Sequence, residues 1–334
     1  MNSPELSEQI ERAVKILKGG GLVAFPTETV YGLGADATQP AAVRKIFAAK
    51  GRPAGNPLIV HVADIATAQK FAGAWPESAA ILSRNLWPGP LSLIVTKSAA
   101  IASEVAAGGN TVALRVPDHP IALKLLAAFG GAVAAPSANR STRVSPTTAA
   151  HVQQELGDSV DLILDGGACR VGIESTVLDL SAEKPRLLRP GAVSRETIER
   201  LIGPVEVFSG SVDSKAMAAS PGLQAVHYSP HTPAIWFDPA DHDAVTVMFG
   251  ELRAGKAAVI YRRGLPLGTR LQQLAHGEAA GAMPDDPEDY AQQLYATLRK
   301  LDARNFSQLW IELPPDAPQW LAIRDRILRA ARAR

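Results

Sequence analysis

Short apolar segments alternate with amphipathic segments along most of the chain, and this alternation constrains the fold more than any other feature. The segments 22–25 (LVAF), 58–62 (LIVHV) and 91–95 (LSLIV) have the length and composition of buried strands. Between them, segments such as 39–50 and 77–87 place apolar residues at helical spacing. Strands and helices that interleave in this way predict an α/β fold.

The alternation stops after residue 202 and resumes at residue 234. The segment 203–233 is rich in Ser, Gly, Pro and Ala and has little periodicity, which is typical of a linker. From residue 234 strands and helices alternate again, and a basic helix is predicted from residue 320 to the terminus. We therefore predict an α/β domain at 1–202, a linker at 203–233 and a small Rossmann-like α/β domain at 234–334. The small domain has no G-x-G-x-x-G motif for a dinucleotide.

Composition argues against several classes of protein. A net charge of +1 over 334 residues gives no support for a tRNA or membrane partner. The single cysteine, Cys169, cannot form an internal disulfide or a cysteine metal cluster. His227 and His231 are poor candidates for a metal pair because Pro230 disfavours a shared helical face. The polar, acidic start and the lack of a long apolar run predict a cytoplasmic protein with no membrane span.

Basic residues concentrate in two windows that contain no acidic residue, 37–63 and 119–154. Lys50 and Arg52 end the helix predicted in the first window, next to glycine and proline. Clustered Lys and Arg beside glycine suit phosphate binding, although chance segregation of charge would produce the same pattern.

Polar side chains also follow apolar strands at three places. The loop 25–34 (FPTETVYGLG) holds two threonines, a carboxylate and a tyrosine hydroxyl, and the loop 135–146 (APSANRSTRVSP) holds hydroxyls and amides. Arg115 ends an otherwise apolar strand, where a ligand carboxylate would neutralise it. Ligands of open α/β sheets bind at the carboxyl ends of strands, so these positions predict a polar ligand site. For the loop 135–146 alone, an ordinary turn and helix cap is an equally good interpretation.

Seven segments occur in an order that resembles the YrdC-like threonylcarbamoyl-AMP synthases in their two-domain form. They are FPTETVYGLGADA, KGRPAGNPLIVHV, WPGPLSLIV, ALRVPDHP, APSANRSTRVSPTT, GIESTVLDL and LLRPGAV. The segment SPGLQAVHYSPHTP is similar to the one that joins the two domains in this family.

The resemblance implies a twisted mixed sheet with helices around a large basic cavity, plus the small Rossmann-like domain. It implies that L-threonine, bicarbonate and ATP with Mg²⁺ give threonylcarbamoyl-AMP, diphosphate and water. A separate tRNA threonylcarbamoyl transferase machinery would then modify the adenosine next to the anticodon.

The resemblance also implies roles for particular residues, with Lys50 and Arg52 as the catalytic pair. The positions expected to contact L-threonine are Thr29, Tyr31, His61, Arg115, Ala135 and Ser175. The positions expected to contact ATP are Lys50, Arg52, Asn56, Thr111, Ser137, Asn139, Ser145, Arg189 and Tyr228. No residue is expected to bind a metal ion directly.

The linker departs from the family pattern, because Leu223–Gln224–Ala225–Val226 is uncharged where the family has basic residues. We still expect the linker to act as a lid, so that ATP with threonine should slow proteolysis within 216–226. Two other functions stay open at this point. One is a carbamoyl-adenylating enzyme of hydrogenase maturation, which a chain with one cysteine does not favour. The other is a non-catalytic RNA-binding module, which the low aromatic content does not favour.

Overall fold

The computed structural model describes residues 4–208, 227–264, 271 and 279–333. The chain divides into two compact units. The first consists of Met1–Ser141, Pro146–Arg170 and Glu174–Gln224. The second consists of Ala225–Arg334 together with the short segments Thr142–Ser145 and Val171–Ile173. The linear boundaries at residues 202 and 233 stay a prediction.

The first unit alternates helices and strands in the way the periodicity predicts. Its helices are α1 (Pro4–Lys18), α2 (Pro40–Lys50), α3 (Ile65–Phe71), α4 (Glu77–Leu86), α5 (Pro120–Phe129), α6 (Ala149–Leu156) and α7 (Arg195–Ile202). Its strands are β1 (Val23–Phe25), β2 (Gly32–Asp36), β3 (Ile59–His61), β4 (Leu91–Thr96), β5 (Thr111–Arg115), β6 (Val133–Ala134), β7 (Leu162–Ile163), β8 (Thr176–Asp179), β9 (Arg186–Arg189) and β10 (Glu206–Val207). None of the described helices combines the length and hydropathy needed to cross a bilayer.

These strands form one mixed sheet in the order β10-β9-β8-β4-β5-β3-β6-β2-β1-β7. Four neighbouring pairs are parallel, namely β10–β9, β8–β4, β5–β3 and β1–β7, and the other pairs are antiparallel. The predicted α/β class with a mixed sheet is confirmed.

Strand β1 shows that the sheet is buried on both faces. Val23 and Phe25 belong to a core cluster that includes Leu17 of α1 and Leu126 of α5. Ala24, between them, belongs to the larger cluster on the opposite side. Successive side chains of a strand point to opposite faces, so both faces of this strand are covered by apolar residues.

Strand β2 was not predicted, because its sequence GLGAD contains two glycines and resembles a loop. It pairs with β1 on one side and β6 on the other. A Cβ atom on Gly34 would lie 2.9 Å from atoms of both Phe25 and Val133. Glycine is therefore needed here for close packing of neighbouring side chains, and this packing outweighs its poor strand propensity.

The second unit has its own sheet of five parallel strands. Its elements are β11 (Ala234–Phe237), α8 (His242–Arg253), β12 (Ala257–Arg262), β13 (Ala280–Met283), α9 (Pro287–Asp302), β14 (Gln308–Glu312), α10 (Leu321–Ala330) and β15 (Arg332–Ala333). The strand order is β13-β12-β14-β11-β15, with all four neighbouring pairs parallel. A parallel sheet interleaved with helices confirms the Rossmann-like architecture.

Two details of the second unit differ from expectation. The predicted terminal helix ends at Ala330, and Arg332–Ala333 instead pair with β11 as an edge strand, so the prediction was wrong for the last residues. Strand β13 and helix α8 were not predicted. The expected lid falls largely on residues 209–226, which lie outside the described part of the chain.

Tyr228 is held inside the second unit by aromatic and cationic neighbours. Its ring stacks on that of Tyr295, with 5.8 Å between centroids, and the Arg326 guanidinium carbon lies 5.2 Å from the ring centre. Its backbone φ is 62°, a value in the left-handed region that residues other than glycine rarely adopt. Packing therefore holds Tyr228 in an unusual backbone conformation, and such conformations persist only where their surroundings hold them.

A glycine after β9 allows a close backbone approach near two predicted site residues. A Cβ atom on Gly191 would lie 2.3 Å from the Thr176 nitrogen and 2.6 Å from the Ser175 carbonyl carbon. We expect Gly191→Ala to lower the free energy of unfolding by about 1–3 kcal/mol, because backbone must move to admit the methyl group. Urea denaturation followed by circular dichroism measures this. Gly55→Ala is the matched control, since no atom lies within 4 Å of its Cβ position, and equal effects would contradict the argument.

Candidate active site

The loop between β1 and β2 is organised by the hydroxyl of Thr27. This hydroxyl donates to the carbonyl of Val30 (2.6 Å) and accepts from the backbone N–H groups of Thr29 and Val30 (3.2 Å each). The hydroxyls of Thr27 and Thr29 are 2.8 Å apart. Side-chain oxygens of this kind replace ladder hydrogen bonds and fix a tight loop. Thr29 is thereby buried in a defined position, with 1% of its surface exposed.

Tyr31 ends this loop and reaches the segment that follows β7. Its hydroxyl donates to the Gly167 carbonyl (2.8 Å) and accepts from the Gly166 N–H (3.1 Å). Burial raises the pKa of Tyr31 well above its usual value, so the phenol stays protonated at neutral pH. The side chain acts as a neutral wall that ties two loops together.

His61 and Arg115 are neighbours at the ends of β3 and β5. The two strands are parallel, and His61 pairs with Arg115 in the register. Both residues are buried, each with 3% of its surface exposed. The His61 Nδ1 atom is buried and has no hydrogen-bond partner among the described residues. Buried polar atoms are usually paired, so an unpaired one beside a cation points to a ligand site.

Arg115 forms an ion pair with Glu28 of the β1–β2 loop. The Arg115 Nη2 and Glu28 Oε1 atoms are 2.8 Å apart, and the side chains are 4% and 0% exposed. The Arg115 Nε atom also donates to the Gly89 carbonyl (3.1 Å). The guanidinium is therefore held from two directions, by a loop carboxylate and by a backbone oxygen.

Lys50 connects the end of α2 to the polar loop after β6. Its ammonium group donates to the carbonyls of Ser137 and Asn139, and its own carbonyl accepts from the Ser141 N–H (2.8 Å). Burial, and then the neighbouring Arg52 cation, hold the pKa of Lys50 well below its usual value. Lys50 therefore brings together residues of the two basic windows.

Arg52 and Asn56 share the short turn that follows α2. The Arg52 guanidinium donates to the carbonyls of Asn56 (3.2 Å) and Pro57 (2.9 Å). The Asn56 Nδ2 atom is buried without a hydrogen-bond partner among the described residues. The turn is thus closed by its own arginine, and the amide of Asn56 keeps its donors for another group.

Ser175 and Arg189, predicted for different ligands, contact each other directly. Arg189 donates to the Ser175 carbonyl (3.1 Å) and hydroxyl (3.2 Å), and the hydroxyls of Ser175 and Ser92 are 2.8 Å apart. Thr111 lies four residues before Arg115 in β5, about 13 Å away along the strand. Contacts with two different ligands could be separated by such a distance.

The predicted site residues are polar or charged in most cases, yet nearly all are buried. Among them, Thr111 and Ser137 are partly exposed and the others are buried. Ala135 donates its N–H to the Ile59 carbonyl (2.8 Å), at the start of β3. Ser145 and Tyr228 belong to the second unit, so their part in a nucleotide site stays a prediction.

His61 predicts how stability depends on pH. Burial, and then the Arg115 cation, hold the pKa of His61 well below 6.5, so its ring is neutral at pH 7. Since the folded pKa lies below the unfolded one, the stabilisation is complete above about pH 6.5 and is lost as the pH falls. Titration of this one group changes the free energy of unfolding by at most about 1.4 kcal/mol per pH unit. Urea denaturation at pH 7 and pH 5 should show a smaller loss for His61→Gln than for the wild type.

The exposed His242 on α8 provides the control for this measurement. His242→Gln should leave the acid-induced loss of stability unchanged. If His61→Gln and the wild type lose the same free energy of unfolding between the two pH values, the interpretation of His61 is wrong.

The sequence analysis placed Glu28 and Thr27 only within the polar loop 25–34 expected to face a ligand, without naming a contact for either, and it did not predict the contact of Tyr31 with Gly166 and Gly167. The only sequence signal for Glu28 is a carboxylate between two threonines directly after a buried strand. A loop carboxylate usually faces water, so its burial became evident only when Arg115 was placed beside it.

Both parts of the chain match known families. The Sua5–YciO–YrdC family, described as Telomere recombination, matches residues 15–191. The family described as Threonylcarbamoyl-AMP synthase, C-terminal domain, matches residues 193–332.

Relatives of similar length carry the same name. Threonylcarbamoyl-AMP synthase of Bacillus subtilis is 40% identical over 337 residues, covering 98% of this chain and 94% of that protein. The Schizosaccharomyces pombe protein of the same name is 35% identical over 366 residues, covering 98% and 89%. The crystal structure of Pyrococcus abyssi Sua5 complexed with L-threonine superposes with a TM-score of 0.86 at 38% identity, covering 97% of this chain and 95% of that one. The chain belongs to the Sua5–YciO–YrdC family, in the form that carries the Sua5 C-terminal domain.

Proposed function

We propose that this protein is a threonylcarbamoyl-AMP synthase, which converts L-threonine, bicarbonate and ATP into threonylcarbamoyl-AMP, diphosphate and water. Mg²⁺ enters as part of the MgATP substrate. Among the described residues, no group of three or more His, Cys, Asp and Glu side chains lies close enough to hold a metal ion.

One observation carries the proposal, namely the burial of two basic side chains two residues apart. Lys50 and Arg52 are 2% and 8% exposed; burial is the main cause that lowers the pKa of Lys50, the Arg52 cation adds to it, and Glu155 acts in the opposite direction. Two neighbouring buried cations are stabilised when an anion binds both, and a polyphosphate provides several negative oxygens. We assign both residues to the ATP phosphates, with Asn56, Ser137 and Asn139 beside them.

The threonine half of the site is proposed around Arg115 and His61. The Arg115 guanidinium would bind the substrate carboxylate, and the neutral imidazole of His61 offers a buried nitrogen for a polar group. Thr29, Tyr31, Ala135 and Ser175 are proposed to complete this half. Thr111 and Arg189 are proposed to contact the nucleotide, and the span from Thr111 to Arg115 leaves room for both ligands along β5.

The reaction needs no protein nucleophile. Bicarbonate takes up a proton and gives CO₂ and water, and the threonine ammonium loses a proton to become the free amine. The amine captures the CO₂ as a carbamate and releases a second proton. A carbamate oxygen then attacks the α-phosphorus of ATP, and the bond from that phosphorus to the leaving diphosphate breaks. Catalysis then depends on holding two anions together and on stabilising charge at phosphorus. Cys169 fits this scheme, because burial raises the pKa of its thiol to about 12 and leaves it unreactive at neutral pH.

The proposal is tested by incubating the purified protein with MgATP, bicarbonate and L-threonine, and then omitting each in turn. Diphosphate release that requires all three, together with a product of the mass of threonylcarbamoyl-AMP, is the expected result. We propose that a tRNA threonylcarbamoyl transferase machinery then consumes this product.

Two results would support a rival function instead. Diphosphate release without threonine, or with carbamoyl phosphate in place of bicarbonate, would indicate a carbamoyl-adenylating enzyme. RNA binding with a steep salt dependence and no turnover of ATP by active, folded protein would indicate a binding module. The relatives that match nearly the whole chain share the synthase name and favour neither rival.

A further inference from the structure

Glu28 is a fully buried carboxylate, and Arg115 is its one ion-pair partner among the residues that the structure describes. Its side chain is 0% exposed, and its Oε1 atom lies 2.8 Å from Arg115 Nη2. Its second oxygen, Oε2, is also buried and has no hydrogen-bond partner among the described residues. A buried anionic oxygen without a donor is unfavourable, so a native structure that keeps one has a reason to do so.

The surroundings of the Glu28–Arg115 pair contain little other charge. His61 is the register neighbour of Arg115, and its Nδ1 atom is likewise buried without a partner. His119 and Cys169 lie within electrostatic range of Glu28. Burial keeps the imidazoles of both histidines and the thiol neutral at pH 7. The pair therefore consists of one positive and one negative group in a site of low polarity.

This charge balance restricts the kind of ligand that fits. A ligand with only a carboxylate would place two anions beside one guanidinium, and like charges repel strongly where water is excluded. A zwitterion keeps the balance, because its carboxylate pairs with Arg115 while its ammonium supplies the donors that Glu28 Oε2 lacks.

We propose that Glu28 binds the α-ammonium group of the amino-acid substrate, and that the buried Glu28–Arg115 pair selects zwitterionic α-amino acids. The inference rests on the proposed function, since it concerns the threonine half of that site. Glu28 is then a specificity-determining residue, and its role differs from simply holding Arg115 in place.

The test compares two ligands that differ only in the amine, by isothermal titration calorimetry without turnover. L-Threonine carries the amine, and (R)-3-hydroxybutanoate keeps the carboxylate and the hydroxyl without it. Wild-type protein should prefer threonine by roughly 100-fold or more, as expected of a site built to pair a substrate N–H. In Glu28→Gln, threonine should bind roughly 100-fold more weakly while 3-hydroxybutanoate binds as well as before or more tightly.

A purely structural role for Glu28 predicts a different pattern, because a displaced Arg115 would lower the affinity for both ligands by the same factor. Equal losses for the two ligands, or no loss for threonine, would overturn the proposal. Glu77→Gln makes the same chemical change at an exposed position in the first turn of α4 and should alter neither affinity.

Two further measurements keep the proposal testable. If Glu28→Gln does not fold, Glu28→Asp keeps the charge but draws the carboxylate back by one methylene. This substitution should lower the affinity for threonine at least about tenfold and leave the affinity for 3-hydroxybutanoate unchanged. Equal effects on both affinities would again overturn the proposal.

If wild-type protein neither binds threonine nor releases diphosphate in the full reaction, the proposed function itself fails. If it does both and Glu28→Gln retains wild-type affinity, this inference alone fails.

Discussion

Replacing Arg115 by methionine is expected to lower the free energy of unfolding by about 3–5 kcal/mol and to abolish threonine-dependent diphosphate release. The loss of stability follows because the buried carboxylate of Glu28 would lose its counter-ion. The loss of activity follows from the proposed pairing of Arg115 with the substrate carboxylate. Urea denaturation measures the first effect, and diphosphate release with MgATP, bicarbonate and threonine measures the second.

The two effects can be separated by a second substitution. In the double variant Glu28→Gln/Arg115→Met, neither charge is left unpaired, so most of the lost stability should return while activity stays absent. Arg84→Met is the matched control, because Arg84 is exposed on α4 and should tolerate the same change. If Arg115→Met were as stable and as active as the wild type, both the ion-pair argument and the role assigned to Arg115 would be refuted.

Lys50→Met is expected to slow diphosphate release by roughly 10²–10³-fold, the effect of removing one preorganised electrostatic donor from a site that stabilises developing charge. Methionine fills the space of the lysine stem but cannot donate to phosphate oxygens. Steady-state kinetics with saturating threonine and bicarbonate measures the change. The ratio kcat/KM for ATP should fall, because the lost interaction is proposed to strengthen in the transition state.

Lys45→Met provides a control on the same helix. Lys45 is exposed on α2, and its ammonium group donates to the Gly20 carbonyl (2.7 Å). The variant Lys45→Met should therefore retain nearly all of the activity. Equal losses in the two variants would mean that general damage to α2, and not the position of Lys50, is responsible.

The element pattern of both units was largely predictable, because helices and buried strands have different periods. Helix α2 begins at Pro40 and ends at Lys50, where Gly51 adopts a left-handed conformation, as local signals predict. One exception is a strand whose residues have poor intrinsic propensity. Strand β2 contains Gly32 and Gly34 and forms because β1 and β6 provide hydrogen-bonding partners on both sides.

The site was predictable as a set of separate positions but not as a set of contacts. Motifs identified Arg115 and Ser175 as candidates, yet nothing local indicates that Glu28 pairs with Arg115 or that Arg189 contacts Ser175. These contacts join residues from different strands and loops. They depend on strand order and register, which single-chain periodicity does not encode.

By itself the sequence determined most of the strands and helices, where the basic residues concentrate, and which family the motifs resemble. These properties depend on neighbours within a few residues, so they can be identified without a structure. Only the tertiary structure decided which polar groups are buried and which groups they contact. Burial turns Glu28 from a loop carboxylate into the counter-ion of Arg115, because removal from water makes the charge of each residue depend on the other.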